Sequence, residues 1–255
     1  MKSDDARREF LRASAVAGAG LVLVGCGGGS KTEPEQKAGG QTQAVEGDKE
    51  EGGEVTATED LMREHGVLRR ALLVYVAAAS KLRANPSSVP PDALQKTANL
   101  FRSFGEEYHE KKLEEAFIFP AVKKAGGGAA AYPDVLVVQH ERGREITDYV
   151  LAATRGAKLG AASAAQLAKV LESFVLMYQH HAAREDTIVF PAWKQTMSAA
   201  QLDEMGDKFE EIERQQLGED GYEVAVKQIA DIEAGLGLAD ISQFTAAPPP
   251  KASGT

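Results

Sequence analysis

The 255-residue sequence predicts an all-α protein: an up-down-up-down four-helix bundle followed by one or two extra C-terminal helices. Three observations carry that prediction. Between residues 56 and 197, apolar side chains recur three and four positions apart in four long stretches, the period of helices buried along one side. Short Pro-, Gly- or Ser-rich breaks separate the stretches, and short breaks favour antiparallel neighbours. Strand-like alternation is nearly absent. Phe117-Ile118-Phe119-Pro120 comes nearest, and it fits a core-facing turn at a helix end equally well.

The first helix opens at Thr56-Ala57-Thr58-Glu59, which resembles a capping box. Its stripe is Leu61, His65, Leu68, Leu72, Val76 and Ala79, and it ends near Asn85-Pro86. Pro90-Pro91-Asp92 starts the second, with Leu94, Ala98, Phe101, Gly105 and His109 on one face and a stop at Gly126-Gly127-Gly128. The third begins near Pro133-Asp134, carries Val137, His140, Thr147 and Leu151, and fades at Arg155-Gly156. The fourth places Leu167, Val170, Phe174, Met177, His181, Glu185, Ile188 and Ala192 on one face. Ser198 and Gln201 form a second capping-box pattern, opening a fifth helix through about Arg214, and a sixth is expected from Gly221 to Ala234. The last two contain no histidine and are expected to cover the bundle without ligating.

At the other end, Arg7-Arg8 precedes an uncharged run from Ala13 to Gly25 that finishes in Leu23-Val24-Gly25-Cys26. Paired arginines before a short apolar segment resemble a twin-arginine export signal, and the Leu-Val-Gly-Cys run looks like a lipobox. The run is too short for the roughly 20 residues that span a bilayer. Residues 1–25 are therefore read as a signal, with Cys26 as the lipid-bearing residue at the start of a polar tether over 26–55. The bundle takes 56–197, the helical extension 198–245 and a Pro- and Ala-rich tail 246–255. Acidic groups number 38 against 29 basic, a net charge of -9, which argues against nucleic acid as a partner.

Four helices each contribute a histidine to a core-facing position: His65, His109, His140 and His181. His181 and Glu185 lie about 40° apart around their helix and can address the same ion. The endings Glu114-Glu115-Ala116-Phe117-Ile118-Phe119-Pro120 and Glu185-Asp186-Thr187-Ile188-Val189-Phe190-Pro191 align, so Glu114 corresponds to Glu185. His109 precedes Glu114 by five residues, about 140° in a regular helix, and a one-residue widening between them would restore convergence. The alternative pairs Glu110 with Glu114 and leaves His109 behind the ligands. His180, about 100° from His181, is expected behind the ligands or on the surface. Tyr75, Tyr108, Met177 and Tyr178 either line an access pocket or are plain core.

Taken together, Leu61-Met62-Arg63-Glu64-His65-Gly66, Tyr108-His109-Glu110-Lys111-Lys112-Leu113-Glu114-Glu115, Gln139-His140-Glu141 and His181-Ala182-Ala183-Arg184-Glu185-Asp186-Thr187 resemble the hemerythrin-like, HHE cation-binding domain. The resemblance covers about Thr58 to Trp193. It implies a hemerythrin-like bundle around two non-haem iron ions, with His65, His109, His140 and His181 as terminal ligands and Glu114 and Glu185 as bridges. At Arg144, four residues after His140, oxygen-carrying hemerythrins have a further histidine. Arg144 leaves either an open coordination position or a side chain turned away to pair with Glu141 or Asp148.

The resulting expectation is an exported, lipid-anchored protein of the bacterial cell envelope that binds dioxygen or a related small diatomic, or sequesters iron. Its ligand would be O2, NO or peroxide, its only membrane contact the lipid anchor, and no protein partner is named by the sequence. The alternatives are a di-iron enzyme acting on peroxide, O2 or nitric oxide, and a signalling or scaffold protein with a structural metal.

Overall fold

A computed structural model describes residues 55–156 and 159–250, and every regular element among them is helical. The export signal, Cys26, the tether up to residue 54 and the last five residues of the tail lie outside the described residues. No helix among the described residues is long and apolar enough to cross a membrane.

Helix α1 spans Ala57–Ala84, with the Thr56 hydroxyl accepting the Glu59 amide at its start and acidic Glu59 and Asp60 in the first turn. Helix α2 runs unbroken from Pro91 to Ala125: α-wound over Pro91–Leu100, π-wound over Phe101–Ile118 and α-wound again over Phe119–Ala125. Gly126, at φ 77°, ends it in a conformation that a side chain resists. Helix α3 is Pro133–Ala153. Helix α4 is α-wound over Ala161–Arg184, π-wound over Glu185–Val189 and α-wound over Phe190–Lys194. The Ser198/Gln201 capping box opens α5, Ala199–Leu217, three residues longer than the sequence suggested, and α6 is Gly221–Gly235. Residues Ile241–Phe244 add a 3-10 turn that the sequence pattern did not announce.

The π-wound segments explain how Pro120 and Pro191 sit inside helices. Proline lacks an N–H and its ring crowds the carbonyl four residues back. In both helices the residue before the proline donates five residues back instead, Phe119 to the Glu114 carbonyl and Phe190 to the Glu185 carbonyl, so the widened turn reaches the proline. The expected one-residue widening between His109 and Glu114 is present as part of a longer π segment, and a second one on α4 was not anticipated.

Contacts between helices fix their direction. On α1 and α4, Arg83 meets Glu172 at one end and His65 meets Asp186 at the other, so the two run antiparallel. Glu64 meets His109 while Leu68 packs on Gly105, giving α1 and α2 the same relation. Arg102 pairs with Asp148 and Lys123 with Asp134 along α2 and α3. Gln139 bonds His181 while Gly143 faces Tyr178 along α3 and α4. Helix α5 stacks Phe209 on Trp193 and tilts it against Phe117, and α6 holds α1 through Arg70 and Glu233.

One expectation fails locally: Val76, assigned to the buried stripe of α1, is 46% exposed, while Ala71, Tyr75, Ala78 and Leu82 are buried. The helices packed around α1 cover more than a single 100° stripe, and its buried face is rotated toward α4 and α6. Two aromatic layers bracket the middle of the helices. Phe101, Phe174, Tyr75 and Tyr178 pack edge-on or tilted on one side, and Phe119, Phe190 and Trp193 fill the other. Each fully buried aromatic contributes roughly 1.5–3 kcal/mol. Between these layers lies a slab of ionisable side chains.

Candidate metal centre

The six candidate ligands meet in that slab. His65, His109, His140, His181, Glu114 and Glu185 are all buried. Nε2 of every imidazole points inward: His65 Nε2 lies 3.6 Å and His181 Nε2 3.0 Å from Glu185 oxygens, and His109 and His140 Nε2 each lie 3.3 Å from Glu114. His140 and His181 Nε2 face each other at 3.1 Å. Both carboxylates thus span two pairs of imidazoles, Glu114 reaching His109 and His140, Glu185 reaching His65 and His181.

The outward nitrogens follow one rule. His109 Nδ1–H donates to Glu64 at 2.6 Å, His140 to Glu115 at 2.9 Å, His181 to Gln139 at 2.9 Å and His65 to Asp186 at 2.7 Å. Each acceptor is the sequence neighbour of a candidate ligand on another helix. The chain of bonds therefore runs α1 to α2, α2 to α3, α3 to α4 and α4 back to α1. An acceptor on Nδ1–H fixes the tautomer that leaves Nε2 free to bind a metal.

Electrostatics show what the slab lacks. Both oxygens of Glu114, both of Glu185 and His109 Nε2 accept or donate no hydrogen bond although fully buried. Buried carboxylates without hydrogen bonds are strongly disfavoured unless a cation pairs with them. Burial opposes a charge on His109 and His140, but the surrounding carboxylates outweigh it. Glu114 and Glu64 raise His109 well above the ordinary histidine range, and Glu110, Glu114 and Glu115 push His140 up to about 10. His65 is pushed down to about 3 by burial and by neighbouring His109. Glu114 is held well below the usual carboxylate range by His109 and His140 against the opposing effect of burial. The carboxylates thus call for positive charge at the centre of the slab, which bound cations would supply.

The spacing fits ions as well. One donor atom each from Glu114, His140, His181 and Glu185 lies within 4.8 Å of the others, and so do donors from His65, His109 and Glu114. Bonds of about 2.1 Å let a single ion reach across roughly that span. Nitrogen and carboxylate oxygen together suit a borderline transition metal.

Other candidates fall elsewhere. Glu110 is buried on the wall of the cavity that Tyr178 also lines, accepting hydrogen bonds from Tyr178 OH at 2.7 Å and from Arg144 at 3.3 Å. Arg144 pairs with Glu115 and Glu110, and not with Glu141 or Asp148. His180 is exposed and contacts Arg184. Tyr108 donates to Glu64 at 2.7 Å, Tyr75 packs in the core and Met177 is half-buried against it. Tyr178 alone of these four lines a cavity of about 20 Å³, room for one water-sized molecule, whose wall also includes Leu68, Leu72, Phe101, His65 and His181.

Sequence reasoning gave no role to Glu64, Glu115, Gln139 or Asp186. The available signal was position: each adjoins a candidate ligand. It also missed Glu106, buried beside Thr147 and Arg102 and pushed up to about 7 by burial against the hydrogen bond from Thr147.

Residues 56–193 match the family model described as the hemerythrin HHE cation binding domain. Uncharacterized proteins of Mycobacterium bovis and Mycobacterium tuberculosis are 42% identical over 240 residues, covering 94% of this chain and 90% of each relative. No solved structure matches significantly. A match over more than half the chain, joined to a buried His and Glu cluster that calls for cations, places the protein in the hemerythrin family of HHE cation-binding proteins.

Proposed function

We propose that this is an exported, lipid-anchored hemerythrin-like protein, an up-down-up-down bundle whose two non-haem iron ions bind dioxygen or a related small diatomic at the cell envelope. One observation carries the reading: four inward Nε2 atoms and two carboxylates, buried between aromatic layers, adjoin a cavity sized for a very small molecule. His65 and His109 would hold one ion and His140 and His181 the other, with Glu114 and Glu185 shared. Iron in these positions would supply the electrons that a bound diatomic takes up. The chain's part is to fix the imidazoles through Nδ1, to exclude water with Leu68, Leu72 and Phe101, and to present the Glu110-bonded Tyr178 at the cavity wall.

Export rests on Arg7-Arg8 and on the Leu23-Val24-Gly25-Cys26 run. A route that carries folded proteins would let the metals be loaded first. Iron sequestration is a variant of the same reading. A di-iron enzyme acting on peroxide, O2 or nitric oxide is the second reading, favoured by Tyr178 and Glu110, which bring a proton-bearing pair to the cavity.

Metal analysis and the optical spectrum of the purified protein test both. Two irons per chain are expected, kept in Glu110→Ala and lost in part in His109→Ala. An absorption change on air exposure that reverses when oxygen is removed supports carriage, and turnover of added peroxide supports the enzyme. A protein without iron refutes both.

A further inference from the structure

The four Nδ1 acceptors are not alike. Glu64, Glu115 and Asp186 are carboxylates, whereas Gln139, behind His181, is a neutral amide. Resting on the dinuclear reading above, we propose that the two metal positions are unequal: the ion between His65 and His109 is held tightly, the ion between His140 and His181 leaves first, and Gln139 sets the difference.

The ligands themselves offer no distinction, since each position has two imidazoles and the same two carboxylates, so the inequality must come from behind. A carboxylate accepting Nδ1–H pulls on that proton and makes Nε2 a stronger donor, and losing such a partner typically weakens metal binding 10–100-fold. His65 and His109 both have this backing. His140 has it from Glu115, which pairs with Arg144 just as Asp186 behind His65 pairs with Arg69. Glu110 stands 4.0 Å from His140 Nδ1, beyond hydrogen-bonding range, and is engaged by Tyr178 and Arg144. His181 has only an amide oxygen. His181 lines the cavity together with His65 and His109, so the cavity borders both positions.

Two ions sharing carboxylates repel, so stepwise binding alone would not be diagnostic. The diagnostic is which step each outer residue moves. Metal-free full-length protein is titrated with Co(II), reading visible absorbance and bound metal, in wild type, Gln139→Glu and Asp186→Asn. Both substitutions keep side-chain size, and circular dichroism checks the fold. Gln139→Glu is expected to tighten the weaker step by at least about tenfold and leave the tighter one in place. Asp186→Asn should weaken the tighter step by about 10–100-fold. His181→Ala should keep one tightly bound Co(II). A weaker step that ignores Gln139→Glu, or a tighter step that responds to it, overturns the inference while leaving two ions bound. Wild type that takes up no Co(II) overturns the dinuclear reading itself.

Discussion

Gly143 of α3 faces the Tyr178 ring so closely that a Cβ there would lie 2.0 Å from the hydroxyl oxygen, 2.9 Å from Cζ and 3.1 Å from Cε2. Neither neighbour yields easily. The hydroxyl donates to buried Glu110 at 2.7 Å, and the ring packs tilted or edge-on against Phe101 and Phe174 at 5.0 and 4.7 Å. Gly143→Ala must therefore displace the ring. Overpacking of this kind costs about 1–3 kcal/mol, and a buried carboxylate oxygen left without its donor a further 1–3 kcal/mol or so. Better helix propensity returns only about 0.5–1 kcal/mol. The net expectation is a loss of roughly 1–5 kcal/mol in denaturant unfolding at fixed metal content. Gly206→Ala on α5, where the nearest atom to a new Cβ is 3.9 Å away, supplies the control and should gain about 0.5–1 kcal/mol. Tyr178→Phe removes the atom at 2.0 Å, so combining it with Gly143→Ala should cost less than the two singles added. Equal stability of the Gly143→Ala and Gly206→Ala proteins would refute the close packing of α3 on α4.

Glu106 supplies a pH dependence. Its folded value of about 7 lies above the ordinary 4.5, so its contribution is fully present below pH 4.5 and fades as pH rises through 7. At 1.36 kcal/mol per unit the change approaches roughly 3 kcal/mol. Unfolding of wild type against Glu106→Gln at pH 4.5 and pH 8 should show the variant gaining relative stability at the higher pH; a difference that does not change with pH contradicts the assignment. Filling one position of the stripped protein with Fe(II) at a hundred times its dissociation constant should add about 2.7 kcal/mol, a rise of about 5–10 °C in Tm that a chelator reverses. An unchanged Tm would mean the cluster takes no cation. Cys26→Ser should move the exported protein from the membrane fraction to the soluble one, and continued membrane association would remove the lipid anchor from the reading.

What the sequence made legible is what depends on one helix at a time. The stripe through Leu94, Ala98, Phe101, Gly105 and His109 is buried as its spacing required, and His181 and Glu185, one turn apart, approach to 3.0 Å. The five-residue gap from His109 to Glu114 pointed to a wider turn on α2 if the two were to converge, whereas the four-residue spacing of His181 and Glu185 gave no such signal for the π-wound turn on α4. What depends on two helices at once was not legible. Val76 continued an apolar period yet lies outside, because the direction of the buried face of α1 is set by where α4 and α6 pack.

The outer partners show the same division. Glu64, Glu115, Gln139 and Asp186 adjoin ligands in sequence but serve ligands on other helices, since neighbours in a helix are about 100° apart and cannot face the same point. A ligand aimed at the centre turns its sequence neighbour toward the adjoining helix, where the next imidazole presents Nδ1. Four helices carrying the same pair of roles therefore close into a ring, and each imidazole is oriented by a helix other than its own. Displacing one helix would disturb its own ligand and the tautomer of the next, so the metal site and the packing of α1 to α4 stand or fall together.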